Sequence, residues 1–209
     1  LKIGNRLYLC SARNQLIALD AADGREIWRY DPKVKDDAIP YTAACRGVSY
    51  YEQPSAQASA DAMLAEAAAD LALPAPPPTP VAASVPGQRA ACTARIIEGT
   101  LDGRLIAVDA DTGTPCAGFG NNGQVDIKVG MGNTPPGYVS INSPPALVRG
   151  VIVTGHQVLD GQRRDAPSGV IQAYDAVTGK LRWAWDMDQP ELTGLPPAGK
   201  EYTRGTPNM

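Results

Sequence analysis

The chain has 209 residues, the size of one domain. Its 19 basic and 22 acidic residues leave a formal charge of −3, so no field draws a polyanion and nucleic acid is excluded as an expected partner. Phe and His occur once each, 21 Gly and 19 Pro favour turn-rich β structure over a helical bundle, and no apolar run reaches the roughly 20 residues of a membrane span.

Leu1 opens directly into strand-like sequence and Met209 follows a Gly-Thr-Pro turn, so the expectation is an internal piece of a longer protein. An alternating apolar stretch, Arg6 to Leu19, leads into Ala18-Leu19-Asp20-Ala21-Ala22-Asp23-Gly24 and then Trp28. The pattern returns at Ala107-Val108-Asp109-Ala110-Asp111-Thr112-Gly113, and again at Ala173-Tyr174-Asp175-Ala176-Val177-Thr178-Gly179 with Trp183 after it. Each copy reads as strand, Asp-x-x-x-Gly turn, strand, with the glycine supplying a positive φ. The Trp after the first and third turns is placed to pack on a neighbouring unit.

The step from Asp109 to Asp175 is one repeat; the step from Asp20 to Asp109 is longer, and residues 53–91 account for the excess. That stretch is dominated by Ala and Pro, carries only Asp61, Glu66, Asp70 and Arg89 as charges, and reads as a surface insertion without chemistry. Ser59 to Leu73 is expected to form a short helix with Ser59 as N-cap, and Pro74 to Pro86 to be extended or disordered. The predicted organisation is therefore propeller segment 1–52, insertion 53–91 and propeller segment 92–209. A unit that recurs in this way cannot bury its own face and must stack on copies of itself. Four-stranded units repeating at this interval predict an all-β protein, a partial β-propeller.

Cys10, Cys45, Cys92 and Cys116 show no CxxC spacing, which argues against a zinc ribbon or a thioredoxin-like site. Buried free thiols and a disulfide both remain open. Cys45 and Cys92 bracket the insertion, where a disulfide between them would tie its base.

Four segments occur in order: Cys45-Arg46-Gly47-Val48-Ser49-Tyr50, Asp102-Gly103-Arg104-Leu105-Ile106-Ala107-Val108-Asp109, Ser143-Pro144-Pro145 and Ser168-Gly169-Val170-Ile171. Together they resemble the quinoprotein alcohol dehydrogenases, most closely the membrane-bound glucose/quinate/shikimate group that uses pyrroloquinoline quinone (PQQ). The resemblance implies an eight-bladed propeller of the quinoprotein alcohol dehydrogenase type with PQQ on its axis, of which this chain holds early blades. It also implies a transmembrane anchor outside this sequence, a propeller on the periplasmic side of the bacterial inner membrane, and ubiquinone as electron acceptor. The implied substrate is a sugar or polyol. Glucose oxidised at C1 to the glucono-lactone stands first, and quinate, shikimate or another polyol stands second. The reading from another class is a non-catalytic PQQ-repeat scaffold, which would keep the Asp turns but has no reason to keep Cys-Arg-Gly beside Ser-Pro-Pro.

PQQ is a flat tricarboxylate, so its site needs cations and neutral donors, with a divalent metal (Mg²⁺ or Ca²⁺) to polarise the quinone. By the resemblance, Arg46 stands at the family's Arg-Gly position beside the cofactor, where a guanidinium fork pairs with a carboxylate. Asn142 stands where the family usually has Thr, so the carboxylate contact falls to its amide or to Ser143. Gln157 matches a further carboxylate contact, and Asp160 matches the acidic metal ligand of some members, with ordinary turn chemistry before Gly161 as its other reading. His156, the only His, precludes a His-cluster zinc site and is expected either to be hydrogen-bonded internally or to lie at the cofactor rim. Ala44-Cys45 replaces the adjacent Cys pair of the soluble enzymes, and Thr42 stands where some membrane-bound members have His. The catalytic Asp base and the quinone-polarising cation of the family fall beyond Met209, so no catalytic residue is assigned and the fragment alone is expected to be inactive.

Overall fold

The computed structural model describes residues 1–74, 77, 89–159, 161 and 163–206. Three four-stranded antiparallel sheets follow one another along the chain, each in simple up-and-down order. The first holds β1 (Lys2–Ile3), β2 (Arg6–Cys10), β3 (Leu16–Asp20) and β4 (Glu26–Tyr30). The second holds β5 (Ser49–Glu52), β6 (Ala94–Gly99), β7 (Arg104–Asp109) and β8 (Gln124–Asp126). A two-stranded pair, β9 (Val139–Ser140) with β12 (Gln157–Val158), accompanies the third sheet. That sheet holds β10 (Ala146–Val148), β11 (Val151–Thr154), β13 (Ile171–Asp175) and β14 (Leu181–Trp185).

The repeated Asp builds each turn in the same way. Asp20 accepts at Oδ1 from Ala22 N–H at 2.8 Å, Asp109 from Asp111 and Thr112 N–H at 2.9 Å, and Asp175 from Val177 and Thr178 N–H at 3.0 and 2.8 Å. A short carboxylate folded back on the following amides closes an Asx turn, which explains the residue at this place. The backbone then needs a positive φ, supplied by Gly24, Gly113 and Gly179 at +75°, +74° and +68°.

Alternation along the strands sets the packing. On β6 and β7, Ile96, Ile106 and Val108 face the first sheet with Tyr8, Leu16, Ala18 and Trp28, while Ile97, Leu105 and Ala107 face the third with Ile152, Tyr174 and Ala184. The middle sheet is therefore apolar on both faces, and every residue of β6 is buried.

The turns carry the docking between sheets. The Trp28 indole lies against Gly113, where an added Cβ would come within 2.6 Å of its ring, and its N–H donates to Ala110 O at 3.1 Å. Tyr8 and Arg6 donate to the same carbonyl at 3.0 and 2.9 Å. One step on, Arg95 donates to Ala176 O and Val177 O at 3.0 and 2.9 Å. Arg6 and Arg95 occupy equivalent positions, being register partners of Asp20 and Asp109. The middle turn has no Trp at this spacing, and Val125 and Phe119 lie against Gly179 instead, where an added Cβ would come within 2.7 and 3.3 Å of them. Trp183 is Trp28's counterpart in the third sheet and is 38% exposed, with no further sheet packed on it among the described residues.

Two expectations are corrected. The insertion carries helix α1 over Ala56–Asp70, capped by Ser55 rather than Ser59: Ser55 Oγ accepts from Ala58 N–H at 3.1 Å, which puts Ser59 inside the first turns. Most of Pro74 to Pro86 lies outside the described residues. The cysteines pair as Cys10–Cys45 and Cys92–Cys116, not Cys45 with Cys92, and none is free. The register gives the reason: Ser49 pairs with Ile97 and Glu52 with Ala94, so Cys45 and Cys92 precede opposite ends of one antiparallel pair.

Gly113→Ala tests the docking against an internal control. Gly24 and Gly113 share the same backbone conformation, but a Cβ on Gly24 meets nothing within 4 Å. Both alanines should cost about 1–2 kcal/mol of backbone strain, and Gly113→Ala about 1–3 kcal/mol more for overpacking Trp28. Thermal melts of the complete protein should show the larger loss at Gly113; equal losses would remove the Trp–Gly contact as a docking element.

Candidate functional site

The loop from Asp31 to Val48 contains one 3-10 turn at Asp36–Ala38 and then enters β5. Its last residues meet the segment between β9 and β10. Arg46 N–H donates to Asn142 O at 3.0 Å, Gly47 sits against the Pro144 ring, and the Ser49 hydroxyl donates to Pro145 O. Gly47 has φ +146°, and an added Cβ there would lie 3.6 Å from Pro144. The Asn142 segment is pinned in turn: Ile141 N–H donates to Thr100 O at 2.8 Å, and the Ile141 side chain fills the space where Gly99 lacks a Cβ.

These contacts enclose a pocket of about 620 Å³, lined among others by Arg46, Asn142, Ser143, Thr154, His156 and Gln157. Four of the five residues singled out from sequence, Arg46, Asn142, Ser143 and Gln157, thus come together from three separate stretches of chain. Asp160 lies outside the described residues. Asn142 Nδ2 donates to Gln157 Oε1 at 2.9 Å and Ser143 Oγ to Asn142 Oδ1 at 3.4 Å, which leaves the Gln157 amide N–H₂ to donate into the pocket. The exposed Arg46 guanidinium makes no hydrogen bond or ion pair among the described residues.

A second concavity of about 630 Å³ is lined by four cations, Lys33, Lys35, Arg104 and Lys128, most of them already paired. There Arg104 is paired with Asp102 at 2.6 Å, Lys128 with Asp126 at 2.7 Å and Lys33 with Asp31 at 2.9 Å. Three of these cations are already neutralised by a neighbour, and Lys35 offers a point charge rather than a planar fork beside neutral donors, so the Arg46 pocket is the better site for a carboxylate.

Two buried groups lie near Arg46: His156, whose expected internal hydrogen bond is present, and Glu98, which carries no signal of its own in the sequence. His156 is buried and its Nε2 lies 2.8 Å from Ser168 O, which makes Nε2 the protonated nitrogen. Burial lowers its pKa, so the ring is neutral, and Nδ1 is buried without a partner among the described residues. Glu98, at the end of β6, is fully buried beneath the Cys10–Cys45 disulfide, with Oε1 3.3 Å from Cys45 Sγ and 3.2 Å from the donating Asn14 Nδ2. Desolvation pushes its carboxyl up to about 8, against a smaller opposing effect of the Asn14 hydrogen bond. The disulfide sulfurs and Glu98 also form the one grouping of potential metal ligands among the described residues, but joined sulfurs offer no thiolate, so it is not a metal site. Aligning the repeats on their Asp would have placed Cys10 and Gly99, each equally far upstream of its own Asp, at the same strand end.

Comparison with known proteins identifies the family. Residues 1–209 match the family described as PQQ, the glucose/ethanol/alcohol dehydrogenase β-propeller domain. The chain is 47% identical to the glycerol dehydrogenase large subunit of Gluconobacter oxydans (strain 621H), over all of this chain and 24% of that protein. It is 35% identical to the quinoprotein glucose dehydrogenase of Escherichia coli (strain K12), over all of this chain and 23% of that protein. Among solved structures, the quinohemoprotein alcohol dehydrogenase ADHIIG of Pseudomonas putida HK5 superposes with a TM-score of 0.55 at 25% identity, over 97% of this chain and 22% of that one. The chain thus spans about a quarter of the length of the curated relatives it matches.

Glu98 gives the site a pH signature. Between the carboxyl's usual 4.5 and about 8, the native state keeps the proton and the unfolded chain has released it. Native stability therefore falls as pH rises through that window, by up to about 1.4 kcal/mol per pH unit, and levels off above it. Glu98→Gln, isosteric with the neutral acid, should abolish this slope, so that wild type melts progressively below the variant from pH 5 to pH 8. Parallel melting curves across that range would show that Glu98 is ionised in the native state.

Proposed function

The chain belongs to the glucose/ethanol/alcohol dehydrogenase β-propeller family that uses PQQ, and from that premise we propose that the complete protein is a quinoprotein dehydrogenase acting on a small polyol. The observation that carries the reading is the Arg46 guanidinium, unpaired among the described residues, sharing one pocket with the Asn142 and Gln157 amides and the Ser143 hydroxyl. A fork of N–H donors beside neutral donors suits a planar anion bearing several carboxylates.

When bound, PQQ would supply the two-electron acceptor for oxidation of the alcohol. In this reading the chain's residues hold and orient: Arg46 pairs with a carboxylate, Gln157 donates its amide, and Asn142 and Ser143 line the wall that Arg46's own N–H clips in place. Restraint of both reactants is the contribution asked of the propeller. Asp160 is retained as the proposed ligand of a divalent metal, Mg²⁺ or Ca²⁺, whose charge would polarise the quinone. No catalytic base is assigned within these residues.

Substrate preference moves from the glucose expected on breadth of resemblance towards glycerol or a similar open-chain polyol, supported by 47% against 35% identity with the two relatives. Quinate and shikimate remain the cyclic alternatives. Two disulfides support an oxidising compartment, here the bacterial periplasm. Attachment through an anchor outside this sequence and transfer of electrons to ubiquinone complete the reading. No helix among the described residues is long and apolar enough to cross a membrane.

In the complete protein, Arg46→Ala should weaken PQQ binding by about 1.5–3 kcal/mol, roughly ten- to a hundredfold, measured by equilibrium dialysis with the fold checked by circular dichroism. Dye-linked oxidation with PQQ present should be fastest with glycerol among glycerol, glucose, quinate and shikimate. Unchanged PQQ affinity would remove the site assignment; glucose as the preferred substrate would keep the family and overturn the polyol; no PQQ binding by folded wild-type protein would favour the scaffold.

A further inference from the structure

We propose that the Cys10–Cys45 disulfide is the positioning element for Arg46, so that cofactor retention depends on this bond being formed. The inference rests on the reading of Arg46 as a PQQ-carboxylate ligand. It concerns residues to which the adjacent-Cys arrangement of the soluble enzymes is unavailable, since Ala44 precedes Cys45.

The guanidinium of Arg46 has no protein partner among the described residues to hold it, so its position is set by its backbone. That backbone ends a loop running from Asp31 to Val48 with no strand in it. Next to Arg46 the holding contacts are its N–H to Asn142 O at 3.0 Å, the Gly47–Pro144 contact and the disulfide one residue earlier, with the buried Val48 following two residues on. The first two fasten Arg46 to the third sheet. On the side of the first sheet the disulfide, at the last residue of β2, is the covalent tie and the one adjacent to Arg46, while Val48, two residues on, adds apolar packing against Tyr8 and Leu16; reduction therefore removes the nearer of the two anchors on that side.

The seat under the bond is itself rigid. Asn14, fully buried, donates from Nδ2 to Glu98 Oε1 at 3.2 Å and accepts at Oδ1 from Leu101 N–H at 3.0 Å. Glu98 Oε1 is 3.3 Å from Cys45 Sγ. The sulfur thus rests on buried side chains from the first two sheets, and one atom's freedom at Cys45 is passed directly to Arg46. Reduction by a dithiol would convert the bond to two thiols, the reductant leaving as its own disulfide; electrons and protons balance at two each. Cys45 would then be tied to β2 by no covalent link. The second disulfide, Cys92–Cys116, contributes no residue to the Arg46 pocket and serves as the matched control.

The test measures PQQ affinity of the complete protein by equilibrium dialysis, which needs no turnover. Cys10→Ser/Cys45→Ser should raise the dissociation constant about tenfold through lost preorganisation, while Cys92→Ser/Cys116→Ser should leave it within about twofold. Adding Arg46→Ala to the Cys10/Cys45 pair should weaken binding less than Arg46→Ala does alone, because one position is perturbed twice. If Arg46→Ala alone leaves affinity unchanged, the ligand reading fails and the inference with it. If Arg46→Ala weakens binding but the Cys10/Cys45 pair does not, or if their effects simply multiply, the ligand reading stands and the positioning role is refuted. Cys10→Ala/Cys45→Ala gives a second pair of different polarity. Should neither pair fold, the folded Cys92→Ser/Cys116→Ser protein is reduced with a dithiol, desalted and titrated at once, with loss of PQQ affinity expected and retained affinity refuting the role.

Discussion

Everything in this structure depends on the fact that one four-stranded sheet cannot bury both its faces. The middle sheet shows the solution, with Ile96, Ile106 and Val108 on one side and Ile97, Leu105 and Ala107 on the other. Such a sheet is stable only between two others. Apolar contact alone would allow the sheets to slide, and the turns remove that freedom. Trp28 seated on Gly113 fixes one offset, while Arg6 and Arg95 each reach carbonyls of the following turn. Those carbonyls lie beyond their own strand ladders, and buried acceptors of this kind must find donors.

The same stacking creates the candidate site. Because the sheets are held in register, the entries to β5 and β10 and the end of β11 meet at one place. Arg46, Asn142, Ser143 and Gln157 therefore share a pocket although Arg46 stands a whole sheet away from the others in sequence. Of the four, only Gln157 lies in a strand. Arg46 is set by the disulfide and the Asn142 carbonyl, Asn142 by the strip ending at Ile141, and Gln157 by β12.

Legibility in the sequence divides along the same line. The repeated Asp-x-x-x-Gly turns are readable because turn chemistry is local: one carboxylate and one positive φ define each turn. Their stacking follows from a face that no single unit can bury. Helix α1 is readable as Ala-rich, but its cap is not, because Ser55 and Ser59 offer the same hydroxyl and only the backbone separates them. The cysteine pairing is not readable from proximity to the insertion, since antiparallel register sends Cys45 and Cys92 to opposite strand ends. Glu98 reads as one more strand residue, and only the fully buried environment of β6 turns it into a neutral acid. Arg46, Asn142, Ser143 and Gln157 are found through resemblance to a family, not through spacing, and the pocket that joins them is a product of long-range packing.

The central claim is that this pocket holds PQQ through Arg46. The most direct measurement is an experimental structure of the complete protein with PQQ bound. It should show the Arg46 guanidinium within hydrogen-bond distance of a PQQ carboxylate, with the Gln157 amide and the Asn142–Ser143 strip on the same ligand. PQQ bound elsewhere on the protein, with Arg46 in solvent, would contradict the account.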